Sequence, residues 1–471
     1  MDKDPLALLP EILLMAGAVT TLLTGSFVPR ARQWIARLAA VAALAAALTA
    51  GAVLAPGADR TVYDGTYALD GATAAARVIA PAASLIVLLL SVGRVRGDRR
   101  ESEFSVLVLL AALGSVLLAG TSDLLLLAVA YLLASIPLYA LAGWGRDALG
   151  AEAALKLYLL GALLGITMLL GITLLYGLAG ATDYAALAEG LAHAPGGALA
   201  AGTVAVLAGL LFKAGAVPAH FWVPDAAAGA TVPAAAFLTT VPKLGALFAL
   251  YRLVTAIPDS IVDWRLLTAV LAAASMTLGN LAAFAQTDPL RLLGYSTISQ
   301  VGYAMMAVAV ADRPDALPSL ALYLAAYAVT NLGAFAVAAA LPGLRTLRSY
   351  RGMGRRHPWL AGALVVCLLS LVGTPPTAVF VGKLTVFSAT WSDGMAWLVV
   401  AAAVNTVASL FYYLRWIAPA VSSDRKDASA HADRPAEHWA ASAAITAAAL
   451  TLALGIAAQL LLGALSDTLT R

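Results

Sequence analysis

The sequence predicts an all-α polytopic membrane protein of about 14 transmembrane helices. Three observations carry this prediction. Hydrophobic residues make up 62% of the 471 positions and charged residues only 12%, with a mean hydropathy of +0.88. Apolar stretches of the roughly 20 residues needed to cross a bilayer recur along the whole chain. Arginines gather in alternate connections between those stretches, as they do in cytoplasmic loops. The net charge of +3 rests mainly on these loop arginines and does not point to nucleic acid. A single cysteine, Cys367 in an apolar run, excludes an internal disulfide and argues against an iron–sulfur or zinc site.

In chain order the expected helices are 7–28, 34–55, 74–93, 103–120, 122–143, 153–178, 198–222, 229–254, 262–285, 292–311, 317–341, 357–390, 396–420 and 438–466. The first is read as a retained span, because Met1-Asp2-Lys3-Asp4 lacks the basic start of a cleaved signal and arginines follow the helix. Arg30, Arg32 and Arg37 come after it, and Arg94, Arg96, Arg99 and Arg100 after the third. Only Thr121 and Ser122 soften the join between the fourth and fifth. The seventh and eighth meet through Pro224 to Gly229. Arg345, Arg348, Arg351, Arg355 and Arg356 follow the eleventh helix, and Arg425, Lys426 and Arg434 the thirteenth. Loops 179–197 and 391–395 carry little or no positive charge. The basic loops then share the cytoplasmic side and both termini face outside, in the cell membrane. The longest polar stretch, 422–437, reads as a loop, so no soluble domain is expected.

Of six lysines, Lys156, Lys213, Lys243 and Lys383 fall within long apolar segments. A lysine at the bilayer centre costs about 2.5–3.5 kcal/mol, so four facing lipid would cost roughly 10–14 kcal/mol. They are expected to face protein interior or water, as a relay for protons or ions. Prolines interrupt two of these segments: Pro218 beside Lys213, and Pro375 and Pro376 beside Lys383. Paired broken helices in two halves of a membrane protein suggest inverted repeats with an ion site at each break.

Lys213 and His220 are seven residues apart, which on one continuous helix places them on one face about 10 Å apart. Histidine passes protons near neutrality, so this pair reads as part of a wire. Lys243 follows Pro242 near the middle of its span. Lys156 lies nearer its helix start, with Glu152 one turn before it in the favourable order for an ion pair. Tyr295 and Ser296 add hydroxyls near the start of the tenth helix. No carboxylate falls in mid-helix, which argues against a sodium or calcium site. No phosphate loop, dinucleotide fingerprint or metalloprotease motif is present.

The runs Phe212-Lys-Ala-Gly-Ala-Val-Pro-Ala-His-Phe-Trp-Val-Pro-Asp225 and Arg291-Leu-Leu-Gly-Tyr-Ser-Thr-Ile-Ser-Gln-Val-Gly-Tyr303 resemble the central motifs of the antiporter-like membrane subunits of respiratory complex I. Ser135-Ile-Pro-Leu-Tyr139 and Leu9-Pro-Glu11 look most like the subunit N branch of that family. The similarity spans nearly the full length. It implies 14 helices, three at the N-terminus (1–102), two inverted five-helix repeats (103–254 and 262–420) with broken helices 7 and 12, and a C-terminal helix (438–471). It implies a proton relay through Lys156, Lys213, His220, Lys243 and Lys383, supported by Glu152 and Tyr295. It implies no cofactor in this subunit; NADH, FMN, iron–sulfur clusters and quinone belong to partner subunits. The implied partners are other membrane-arm subunits, including a neighbouring antiporter-like one. Two departures stand out. Leu132 occupies the position of a family glutamate in helix 5 that normally pairs with the helix 6 lysine, and Gln300 stands where many members have histidine. The same motifs leave open a subunit of a sodium/proton antiporter or of a related dehydrogenase or hydrogenase. Leu132 leaves open a subunit that has lost pumping.

Overall fold

The computed structural model describes residues 4–55, 59–259, 262–422 and 435–464. Arg425, Lys426, Arg434, Met1–Lys3 and the predicted fourteenth helix beyond 464 lie outside it. The first part comprises α1 (Leu9–Phe27), α2 (Trp34–Leu54), a hairpin of β1 (Arg60–Val62) and β2 (Tyr67–Leu69), α3 (Gly71–Val95) and α4 (Glu101–Gly120). Next come α5 (Leu124–Leu133), α6 (Ile136–Ala142), α7 (Ala148–Ala179), α8 (Tyr184–Leu191), α9 (Gly196–Ala214), α10 (Trp222–Gly229) and α11 (Val232–Val254). The second half holds α12 (Trp264–Phe284), α13 (Pro289–Ala309), α14 (Ala316–Ala340), α15 (Met353–Arg356), α16 (Pro358–Val372), α17 (Ala378–Ser392) and α18 (Ala396–Val421). The chain closes with α19 (His438–Ile456) and α20 (Ala458–Ala464).

Twelve helices among the described residues are long and apolar enough to cross a membrane. The other two of the fourteen expected segments have reasons to differ. α13 is as long as its neighbours but carries Arg291, Ser296, Thr297, Ser299 and Gln300. The twelfth is split into α16 and α17. The predicted seventh helix, 198–222, is corrected: it stops at Ala214, and Trp222 to Gly229 form a separate short helix. Helix 5 is also divided, because Pro137 can begin a helix but cannot donate within one. The hairpin and α8 were not foreseen.

Acidic residues cluster at helix starts because they accept otherwise unpaired backbone N–H groups there. Asp70, Asp123, Asp147, Asp183, Asp263, Asp288 and Glu437 cap α3, α5, α7, α8, α12, α13 and α19. α11 and α14 are buried on nearly all sides and form the axis of the bundle. α7 and α18 turn rows of Leu, Val and Phe outward.

The two ends of the bundle differ in charge organisation. At one end the connections after helices 3, 5, 7, 9, 11 and 13 meet around a cavity of about 240 Å³, whose lining includes Arg94, Asp147, Thr231, Asp288, Arg345 and Glu437. Arg37 pairs with Glu101 at 2.6 Å at the same end. At the other end two buried ion pairs tie the N-terminal segments to the bundle. Arg77 grips Glu11 through Nε and Nη2 at 2.7 and 2.8 Å, and the Tyr67 hydroxyl donates to the same carboxylate at 2.8 Å. Arg252 of α11 reaches Asp70 at 2.7 Å. Removing one partner of such a pair costs about 3–5 kcal/mol, because the other charge is left buried.

Candidate functional site

The site is built on the two helix breaks. α9 ends at Gly215, whose φ of +78° is a left-handed conformation that suits glycine. The N–H groups of Gly215 and Ala216 fold back onto the Leu211 carbonyl at 2.8 and 2.9 Å. The chain then turns through a cis Val217–Pro218 bond before α10 begins. Such an end carries partial negative charge on its last carbonyls. Two side chains cover it. Trp222 Nε1 donates to the Phe212 carbonyl at 2.9 Å, and the Lys243 ammonium lies 3.4 Å from the Lys213 carbonyl. Lys243 Nζ also sits 4.0 Å from the centre of the Trp222 ring, a cation–π contact.

The second break repeats this arrangement. α16 ends at Gly373 with φ +95°, and Gly373 and Thr374 fold back onto Leu369 at 3.1 Å each. A cis Pro375–Pro376 bond follows before α17. Lys383 Nζ donates to the Leu371 and Val372 carbonyls at 3.3 and 2.9 Å, over the Tyr303 ring at 3.9 Å. Gln300 Nε2 donates to the Leu371 carbonyl at 2.8 Å, the part that Trp222 plays at the first break.

A ladder of hydroxyls and amides runs between the breaks. Asn331 Nδ2 donates to Thr240 at 2.9 Å, and the Tyr327 hydroxyl donates to the Thr239 carbonyl and to Thr297 at 2.8 and 3.1 Å. The Tyr323 hydroxyl bonds Gln300, whose amide meets the end of α16. Thr406 joins Tyr303 at 3.0 Å and Lys383 at 3.5 Å.

The expected relay residues divide into two groups. Lys213, Lys243 and Lys383 are 2%, 0% and 3% exposed, and among the described residues none of them has an ion-pair partner. Lys213 donates to Ser135 and lies 4.7 Å over the Tyr131 ring, both at the break in helix 5. Leu132 points outward, so Tyr131 and Ser135 are what helix 5 presents to a lysine, and that lysine is Lys213. His220 is buried and stacks on Phe221 with Nδ1 unpartnered. It does not share a helix face with Lys213, because the helix ends between them.

Lys156 stands apart from the three buried lysines, near the start of its helix, and the ion pair expected with Glu152 is present. Its side chain is 44% exposed and pairs with Glu152 at 2.6 Å and Asp225 at 2.8 Å. α7 has 32 residues and so runs about 48 Å, well beyond the roughly 30 Å hydrocarbon core. A residue two turns from its start can therefore lie at the interface. Arg291 joins the cluster, donating to Asp225 at 2.7 Å, and sits 5.9 Å over Tyr295. Glu152 and Tyr295 thus belong with Lys156 rather than with the buried line. Asp225, read from sequence as part of a loop, is the partner that was missed. Among the described residues no group of three His, Cys, Asp or Glu is placed to hold a metal.

Fold and site define an antiporter-like membrane subunit, and the family model described as NADH:quinone oxidoreductase/Mrp antiporter, transmembrane, matches residues 121–409. A relative from Streptomyces griseus subsp. griseus described as NADH-quinone oxidoreductase subunit N 1 is 58% identical over 99% of this chain and 98% of its own. A subunit N from Mycobacterium sp. is 53% identical over 96% and 97%. The chain belongs to the NADH-quinone oxidoreductase subunit N family. A chain of respiratory complex I from Thermus thermophilus superposes with TM-score 0.81 at 35% identity, covering 97% of this chain and 99% of that one. A chain of the Mrp complex from Dietzia sp. superposes with TM-score 0.85 at 23% identity over 98% and 96%, a likeness of fold alone.

Proposed function

We propose that the chain moves protons across the membrane through Lys213, Lys243 and Lys383, coupled to quinone reduction elsewhere in an NADH:quinone oxidoreductase. The observation that carries this reading is three ammonium groups buried in the bundle and held by carbonyls, hydroxyls and aromatic faces instead of carboxylates. A buried charge held only by dipoles is finely balanced, because burial without full pairing is costly. Lys213 and Lys243 share one helix end, so two side chains able to carry a proton meet at the first break. The proton loaded at the first break passes along the Thr239, Tyr327 and Gln300 ladder, with intervening water, to Lys383. His220 supplies the first break. Lys156, Glu152 and Tyr295 stand at its edge and take the role argued below.

The basic loops support a cell-membrane orientation with those loops in the cytoplasm and both termini outside. Helices 1–3 (1–102), two five-helix repeats (103–254 and 262–420) and a C-terminal unit (438–471), of which the structure describes α19 and α20, are the units we assign. NADH, FMN, iron–sulfur clusters and quinone reside in partner subunits, and the immediate neighbours are membrane-arm subunits, one of them antiporter-like. The decisive experiment is Lys243→Ala in the complex reconstituted into vesicles. Protons moved per NADH oxidised should fall, with transfer through this site slowed at least about tenfold, while the subunit stays assembled. A wild-type proton yield in that variant would sink the proposal.

A further inference from the structure

The Lys156 cluster lies apart from the buried lysines, yet one short helix joins them. α10 is only eight residues long, with a break at one end and α11 at the other. Asp225 on it binds Lys156 of α7 through Oδ2 at 2.8 Å and Arg291 of α13 through Oδ1 at 2.7 Å. One turn earlier on the same helix, Trp222 forms the aromatic seat of Lys243 and donates to the end of α9. α13 also packs directly on α10: a Cβ added at Gly294 would lie 2.9 Å from Pro224 Cα and 3.0 Å from Ala227 Cβ. α13 continues to Gln300 and Tyr303, which meet Lys383 and its helix end.

We infer that Asp225 is a positioning residue for proton transfer: by holding Lys156 and Arg291 together it fixes α10, and through Trp222 it fixes the seat of the Lys243 ammonium. A chain broken at 215–221 needs such a restraint, because the backbone bonds that would align α10 with α9 are missing there. Both oxygens of the carboxylate are used, one for each half of the molecule. The inference rests on the proposed role of Lys243, and its consequence is that a charge at the rim of the bundle sets the geometry of the first break without touching it.

The test uses the assembled complex and two readouts. Asp225→Asn should speed backbone hydrogen exchange across 222–229 by about fivefold or more. It should also lower the proton yield per NADH in the same direction as Lys243→Ala. Asp225→Glu should restore both, and Lys156→Gln, which keeps the Arg291 bond, should change them less. Unchanged exchange in Asp225→Asn overturns the inference, as does faster exchange with a wild-type proton yield. If Lys243→Ala itself pumps normally, the relay fails, while the exchange measurement still decides whether Asp225 holds α10. Should Asp225→Asn not assemble, the double variant Lys156→Gln/Arg291→Gln, which strips both partners from Asp225, supplies the same two readouts with the same two overturning results.

Discussion

At the first break the helix ends at Gly215 and the ammonium over it, Lys243, comes from the next helix; at the second it ends at Gly373 and Lys383 comes from the continuation of the same helix. The backbone device is the same in both: a left-handed glycine, folded-back N–H groups, a neutral donor and a lysine over an aromatic ring. What differs is the source of the charge and its company. The first break has a second lysine in its last turn, held by Ser135, whereas at the second, among the described residues, Lys383 is the one lysine and its company is the neutral amide of Gln300 and the Tyr303 ring. The physical requirement lies in the exposed carbonyl end, and any helix able to bring an ammonium there can meet it. On the proposed relay, the first break would offer two lysines to a proton and the second one.

The strongest way to break this comparison is Lys383→Ala beside Lys243→Ala. If both breaks are stations on one path, proton yield should fall to the same low level in each, by about tenfold or more. A large loss at Lys243 with normal pumping in Lys383→Ala would leave the second break a structural echo. Next in size are the two glycines. Alanine at either adopts a left-handed conformation at about 1–2 kcal/mol. At Gly215 the new Cβ would also lie 2.6 Å from Val223 and 3.3 Å from the Lys243 ammonium, and at Gly373 3.0 Å from the Lys383 stem. Gly215→Ala should therefore lower the unfolding temperature more than Gly373→Ala, because Val223 is part of α10 and less able to yield than a lysine chain. Equal shifts would show that backbone strain alone sets the cost.

Much of this was legible in the sequence, because a bilayer fixes helix length and composition closely. The cost of inserting lysine picked out Lys213, Lys243 and Lys383. The same reasoning left the depth of Lys156 open: its pairing with Glu152 follows from the spacing, but α7 is longer than the roughly 30 Å core and an apolar stretch does not report where the interface falls. Applied to arginine it would have found Arg77 and Arg252, both buried and both paired with acids at helix edges. The prolines marked the breaks, but the glycines that end α9 and α16 mark them more sharply. Trp222 and Tyr303 stand inside the two motifs, but nothing in their spacing, or in that of Tyr131 and the threonine and asparagine ladder, shows that they meet the lysines. Such residues are ordinary in membrane helices, and only the packing of α11, α13 and α14 brings them together. Asp225 was hidden for a related reason: a carboxylate after proline reads as loop until α7 and α13 are seen to converge on it.

The smallest expected effect tests the neutral donors. Gln300→Leu removes the amide from the Leu371 carbonyl, and Trp222→Phe removes the indole N–H from the Phe212 carbonyl while keeping a ring under Lys243. A buried carbonyl left bare costs about 1–3 kcal/mol. Neither is left bare here: Leu371 keeps Lys383 at 3.3 Å, and Phe212 keeps the Gly215 N–H at 3.1 Å. Each substitution should therefore sit near the lower bound, about 1 kcal/mol in unfolding free energy. Their effects on pumping should differ. Without Gln300 the Lys383 ammonium becomes the sole side-chain donor at Leu371 and the Tyr323 hydroxyl loses its amide acceptor in the proposed ladder, so proton transfer to and from Lys383 should slow and the yield should fall. Without the Trp222 N–H the ammonium at Lys243 still faces a different carbonyl, that of Lys213, and the yield should hardly move. Identical pumping losses in the two variants would show that the breaks use their neutral donors alike, and that shared access to one carbonyl does not distinguish the second.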